Sequence, residues 1–228
     1  MKRLVLVGEG HGEVSALPAL VGKLLEEKDS RHTLFVDHEV VRKSNPVKWD
    51  KQAARPDYSK WISYVTLAAR RREVGGVLAL YDGDFSSFPA GSGSPFCAAT
   101  AAQAMAAAAL AAGAGKTFSL AVVFACVEYE TWIIAGIESL AGKKYQDGRP
   151  VLPSNLKFPP GDPESHGKKW LEQRCQGYRP RMDQKALTEL LDLNVVRAKN
   201  LRSFSRLDHA IDQLLAAVGS GSHISTPG

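Results

Sequence analysis

Gly76-Val77-Leu78-Ala79-Leu80-Tyr81-Asp82-Gly83-Asp84-Phe85 is the stretch on which the fold turns. Its first half is short, apolar throughout and opened by glycine, which reads as a buried strand rather than a half-exposed one. Two carboxylates separated by one glycine follow at once. In an open α/β sheet the carboxyl ends of the strands are where ligands sit. Two close negative charges repel unless a cation holds them together, and Asp oxygens at this spacing suit a hard ion such as Mg²⁺. The competing reading is a surface turn, which Asp and Gly both favour.

Similar signals recur on either side. Leu4 to Val7 is a second continuous apolar run, closed by Gly8-Glu9-Gly10-His11-Gly12-Glu13. After it Val14, Leu17, Leu20, Val21, Leu24 and Leu25 repeat at helical spacing. This is strand, glycine-rich turn and helix, but neither the dinucleotide nor the P-loop pattern. Glu9 sits at the strand end. Glu13 suits a first-turn acid on the helix dipole as well as a site residue, and His11 reads as an exposed turn residue.

Thr33 to Val41 is expected to be one strand, residues 42–57 a loop, and Tyr58 to Glu73 a helix ending in Arg70-Arg71-Arg72. The Ser-, Gly- and Pro-rich run 85–95 is an exposed loop, and the alanine-rich run 97–113 a helix. Phe118 to Val127 is another buried strand, again ended by acids, Glu128 and Glu130. Strands alternating with helices imply right-handed βαβ units and a largely parallel sheet. Such crossovers bring Glu9, Asp82 with Asp84, and Glu128 with Glu130 to one rim, an arrangement suited to a metal site.

The order Glu-Gly-x-x-Glu, then a strand ending in Asp-x-Asp, resembles the TOPRIM domain of topoisomerases, primases and OLD-type nucleases over residues 2–140. Glu128-Tyr129-Glu130-Thr131-Trp132 and Arg202-Ser203-Phe204-Ser205-Arg206-Leu207 extend the likeness to a TOPRIM-like family of uncharacterised bacterial proteins. The resemblance implies a metal-binding set of Glu9, Asp82 and Asp84 holding Mg²⁺ or Mn²⁺, with Glu9 as acid/base or ligand. It also implies an ATPase protein partner in a phage-defence setting. Glu128 and Glu130 match only the narrower family, and no tyrosine nucleophile can be assigned, which argues against topoisomerase chemistry.

The expected fold class is α/β, a TOPRIM-like mostly parallel sheet flanked by helices with a helical C-terminal extension. Residues 1–141 form the α/β domain and 142–165 a proline-rich connection. Residues 166–218 form a basic helical extension packed on the same domain, and 219–228 a disordered tail. Within the extension Lys168, Lys169, Arg179, Arg181, Lys185 and Arg202 are the expected nucleic-acid contacts, because a basic surface beside an acidic metal rim is what a phosphodiester requires.

The 228 residues carry a net charge of +5, are 44% hydrophobic and 23% charged, and suit a soluble globular protein with an anionic partner. No apolar run nears the roughly 20 residues of a membrane span, and the four apolar residues after Lys2-Arg3 are too few for a signal peptide. A cytoplasmic location is expected. Cys97, Cys126 and Cys175 form no CxxC pair, so neither a disulfide framework nor a zinc knuckle is supported. The expected function is divalent-metal-dependent phosphodiester hydrolysis on nucleic acid. The alternatives are a non-catalytic nucleic-acid- or ATPase-binding subunit with a structural metal, and a small-molecule phosphotransfer protein.

Overall fold

The computed structural model describes residues 1–89, 91–144, 151–159 and 167–228, without the side chain of His11. Much of the expected proline-rich connection, and His166, therefore lie outside the described residues. The chain is an α/β protein built on a parallel sheet. Strand β1 (Lys2–Gly8) lies between β6 (Val74–Tyr81) and an edge formed by β2 (Leu34–Val36) and β3 (Val41–Arg42). Beyond β6 come β7 (Ser119–Phe124) and β8 (Ser225–Thr226), and every pairing in this sheet is parallel.

Helices cover both faces, as a parallel sheet requires. The pleat sends alternate residues of each strand to opposite faces. Leu4, Leu6, Leu78, Leu80, Ala121 and Val123 meet α1 (His11–Glu27) and α8 (Arg202–Ser220). Val5, Val7, Val77, Ala79, Tyr81, Val122 and Phe124 meet α2 (Ser59–Ala69) and α3 (Ala98–Ala108). The alanines of α3 let its backbone lie close on β7 and β8, with Ala101, Ala102 and Ala106 buried. On α8, Phe204, Leu207, Ile211 and Leu214 form a buried stripe at helical spacing. Burying each such side chain contributes about 1.5–3 kcal/mol.

Between β7 and α8 the chain adds α4 (Glu130–Ala135), α5 (Gly167–Arg174), α6 (Pro180–Leu190) and α7 (Leu193–Arg197). Leu171, Leu187 and Val196 belong to the same core as β1 and α1, so these helices are built onto the sheet domain.

Three local expectations are corrected. Residues 33–41 do not form one strand: Asp37 is 5% exposed, pairs with Arg3 at 3.0 Å and accepts the Glu39 N–H, an Asx turn that separates β2 from β3. The expected loop 42–57 carries an antiparallel hairpin, β4 (Lys48–Asp50) with β5 (Arg55–Asp57). The tail is not disordered: α8 runs to Ser220, and β8 closes the free edge of β7, with Ser225 Oγ donating to the Ala106 carbonyl at 2.7 Å.

Candidate functional site

The carboxyl end of the sheet is assembled by close backbone approach. Gly10 caps α1, and its N–H donates to Glu13 Oε2 at 3.2 Å, which folds that carboxylate back over the turn. Glu13 is 4% exposed. A Cβ on Gly12 would meet the Pro180 carbonyl at 2.8 Å and the side-chain oxygen of Gln184, so α6 reaches the rim beside the start of α1.

Asp82-Gly83-Asp84 leaves β6 against the end of β7. The Gly83 N–H donates to the Val127 carbonyl at 3.0 Å, and a Cβ there would lie 2.5 Å from the Ala125 carbonyl. Glycine between the two aspartates is thus a packing requirement. Val127 takes φ +58, a left-handed conformation costly for a β-branched residue. After this reversal the Glu128 N–H donates to the Cys126 carbonyl at 2.8 Å and the Tyr129 N–H to Asp82 Oδ1 at 2.9 Å.

The C-terminal helices complete the rim. The Lys168 N–H donates to Glu128 Oε2 at 2.9 Å, while its ammonium lies 3.2 Å from Glu128 Oε1 and 3.8 Å from Asp82 Oδ2. Tyr178 donates its hydroxyl to Glu130 Oε1 at 3.2 Å. Glu130 is 0% exposed, and its Oε2 finds no hydrogen-bond partner among the described residues.

Electrostatics follow from this crowding. Burial pushes the Asp82 carboxyl well above its ordinary range; Glu13 and Glu130 add to the shift and Lys168 opposes it. Burial likewise raises Glu130 and Glu9: Lys168 and the Gln184 side chain oppose the shift at Glu130 and Glu128 adds to it, while Glu13 and Asp84 add to the shift at Glu9. Burial lowers the Lys168 ammonium, but Glu130, Asp82 and Glu128 more than reverse it.

All five expected acids therefore stand at one rim, but in two groups. Asp82, Glu128 and Glu130 surround Lys168, with Glu13 beside them. Glu9 and exposed Asp84 lie near each other on the outer side, Glu9 supported by the Asn45 N–H and still within electrostatic reach of Glu13 and Lys168. The expected triad of Glu9, Asp82 and Asp84 does not converge on one point: among the described residues no three Asp, Glu, His or Cys side chains are placed to hold a metal ion. The donor chemistry still fits a hard divalent cation, being all oxygen, with the Glu130 Oε2 open.

Of the expected nucleic-acid contacts, Lys169, Arg179, Arg181, Lys185 and Arg202 are exposed, Arg179 pairing with Asp183 at 3.9 Å and Lys185 with Glu189 at 3.8 Å. Lys168 differs, because its ammonium faces the acids. Sequence reasoning placed Glu13 only between two roles and missed Tyr178 and Gln184. The nearest signal was Glu13's place four residues after Glu9. Of the cysteines, Cys97 is exposed, Cys126 half-buried and Cys175 buried.

Among the described residues no helix is long and apolar enough to cross a membrane. No curated protein and no solved structure gives a significant match to the chain. Residues 8–212 match a family described as a domain of unknown function, a span that takes in every acid of the rim together with Lys168, Tyr178 and Gln184; the chain belongs to this family, DUF4276.

Proposed function

We propose that the chain is a divalent-metal-dependent phosphodiesterase acting on nucleic acid, most simply a nuclease working with Mg²⁺ or Mn²⁺. The observation that carries this reading is the meeting of acids from three parallel strand ends, with Glu130 wholly buried and one of its oxygens unpartnered. Burying carboxylates together opposes folding, so a cation is the economical explanation. The TOPRIM resemblance and the net charge of +5 support the same reading.

Asp82, Glu128 and Glu130, spaced here around Lys168 rather than around an ion, would have to close on it to hold it, with Glu9 and Asp84 on its outer side. When bound, it supplies polarisation of a phosphate and a lowered pKa for an attacking water. The chain's own residues do the rest. The Tyr129 N–H fixes the Asp82 carboxylate, and the Tyr178 hydroxyl fixes Glu130. Glu9, its carboxyl raised by burial, is suited to accept or return a proton at its carboxylate oxygen. Arg181 and Lys169, exposed on α6 and α5, are placed to meet a polyanion.

One observation favours a second reading. Lys168 already neutralises part of the rim, as in a non-catalytic subunit that binds nucleic acid or an ATPase partner. The two are separated by incubating wild type and Asp82→Ala with supercoiled DNA and single-stranded RNA in Mn²⁺. Cleavage by wild type that the variant lacks upholds the nuclease. Cleavage that survives in the variant refutes it, and silence of both leaves the subunit reading.

A further inference from the structure

Lys168 is the one cation placed among the inner acids in the described residues, and its position is tightly built. Gly167, the first residue of α5, lies so close that a Cβ there would meet the Glu130 Cβ at 2.9 Å and Glu128 Oε2 at 3.2 Å. The Lys168 backbone and side chain both engage Glu128, and the ammonium reaches on to Asp82. The acids are thus spaced around an ammonium at hydrogen-bonding and ion-pair distances, longer than the roughly 2.0–2.1 Å at which Mg²⁺ binds oxygen. Glu130, a residue with 0% exposure whose charge also acts on Lys168, keeps one oxygen, Oε2, without a hydrogen-bond partner among the described residues.

From this geometry we propose that Lys168 is an exchangeable internal counter-ion, whose ammonium must leave Asp82 and Glu128 before a divalent ion can enter between them. The inference rests on the metal-dependent reading above and adds a built-in competitor to it. Two positive charges a few ångströms apart in a poorly solvated rim exclude one another. The lysine side chain is 39% exposed on a flexible four-carbon stem, so it can swing to solvent while α5 stays docked through the Lys168 N–H. The competitor sets a threshold: the acids are kept neutralised at low metal, and the free ammonium becomes available to a phosphate oxygen only after exchange.

The test reads Lys168 directly in the full chain. The protein is treated with an amine-acetylating reagent with and without saturating Mg²⁺, and modification is mapped by mass spectrometry, with exposed Lys169 as the internal control. In parallel, Mn²⁺ is titrated calorimetrically into wild type and Lys168→Met. Exchange predicts that Mg²⁺ raises acetylation at Lys168 several-fold without changing Lys169, and that Lys168→Met binds Mn²⁺ about 10-fold more tightly. Metal binding with unchanged or reduced Lys168 labelling overturns the exchange and leaves the metal-dependent function standing. If neither protein binds Mn²⁺, both fall together.

Discussion

Asp82 and Asp84 share one turn, two residues apart, and occupy different chemical surroundings. Asp82 is 8% exposed, receives the Tyr129 N–H and lies among Glu13, Glu130 and Lys168. Asp84 is exposed and faces Glu9. Gly83 separates them because the Ala125 carbonyl leaves no room for a side chain, and the chain passes in one step from interior to surface. Two acids that look equivalent in sequence are therefore expected to differ in function and in their effect on stability.

The largest expected effect is on turnover. Asp82→Asn should lower Mn²⁺-dependent kcat/KM about 10³-fold, as loss of a fixed electrostatic group does, and Asp84→Asn about 10-fold. Equal losses in a plasmid-cleavage assay would erase the distinction between inner and outer acids. Stability comes next. Glu130→Ala removes the carboxylate that accepts the Tyr178 hydroxyl and should cost about 1–3 kcal/mol in urea unfolding. Asp84→Ala should stay within about 0.5 kcal/mol of wild type.

Titration sharpens the contrast. Burial holds the Asp82 carboxyl above its ordinary value of 3.8, so the folded state favours the neutral acid. Stability from this group is complete below that value and is lost as pH rises towards the folded pKa. The melting temperature of Asp82→Asn should therefore match wild type near pH 4 and exceed it by a growing margin as pH rises towards the folded pKa of Asp82. For a chain of this size each kcal/mol is about 2–4 °C. The smallest effect concerns the reversal after β7: Val127→Gly relieves a φ of +58, worth about 1–2 kcal/mol. Glycine's added freedom in the unfolded chain cancels most of this, so a large drop in melting temperature would show that the side chain matters more than the backbone.

Much of the sheet was legible because β1, β6 and β7 are apolar on both faces and end abruptly in acid, a pattern that period and composition both record. The acids could be placed at one rim from topology alone. Their division into two groups could not, since it depends on Val127 reversing the chain and on α1 folding Glu13 back over Gly10. Tyr178 reaches Glu130 across 48 positions, a contact no local pattern encodes. Lys168 was read as a surface cation because a basic run looks alike whether it faces water or carboxylates. The strands at 225–226 and 55–57 are shorter than any alternation that could announce them, and Pro56 hides the second.

The loop that follows Asp84 carries Phe85, Phe88 and Phe96, which pack against one another, edge-on except for the tilted Phe85–Phe96 pair, and edge-on against Phe124 of β7, with Phe96 and Phe124 ring centres 5.4 Å apart. Asp84 is thus an exposed carboxylate on an anchored backbone. Its conformational freedom is given up when the protein folds, not when a ligand arrives. The heat and entropy of a cation meeting this residue should then report chiefly on released water, and cooling the protein should leave its position unchanged.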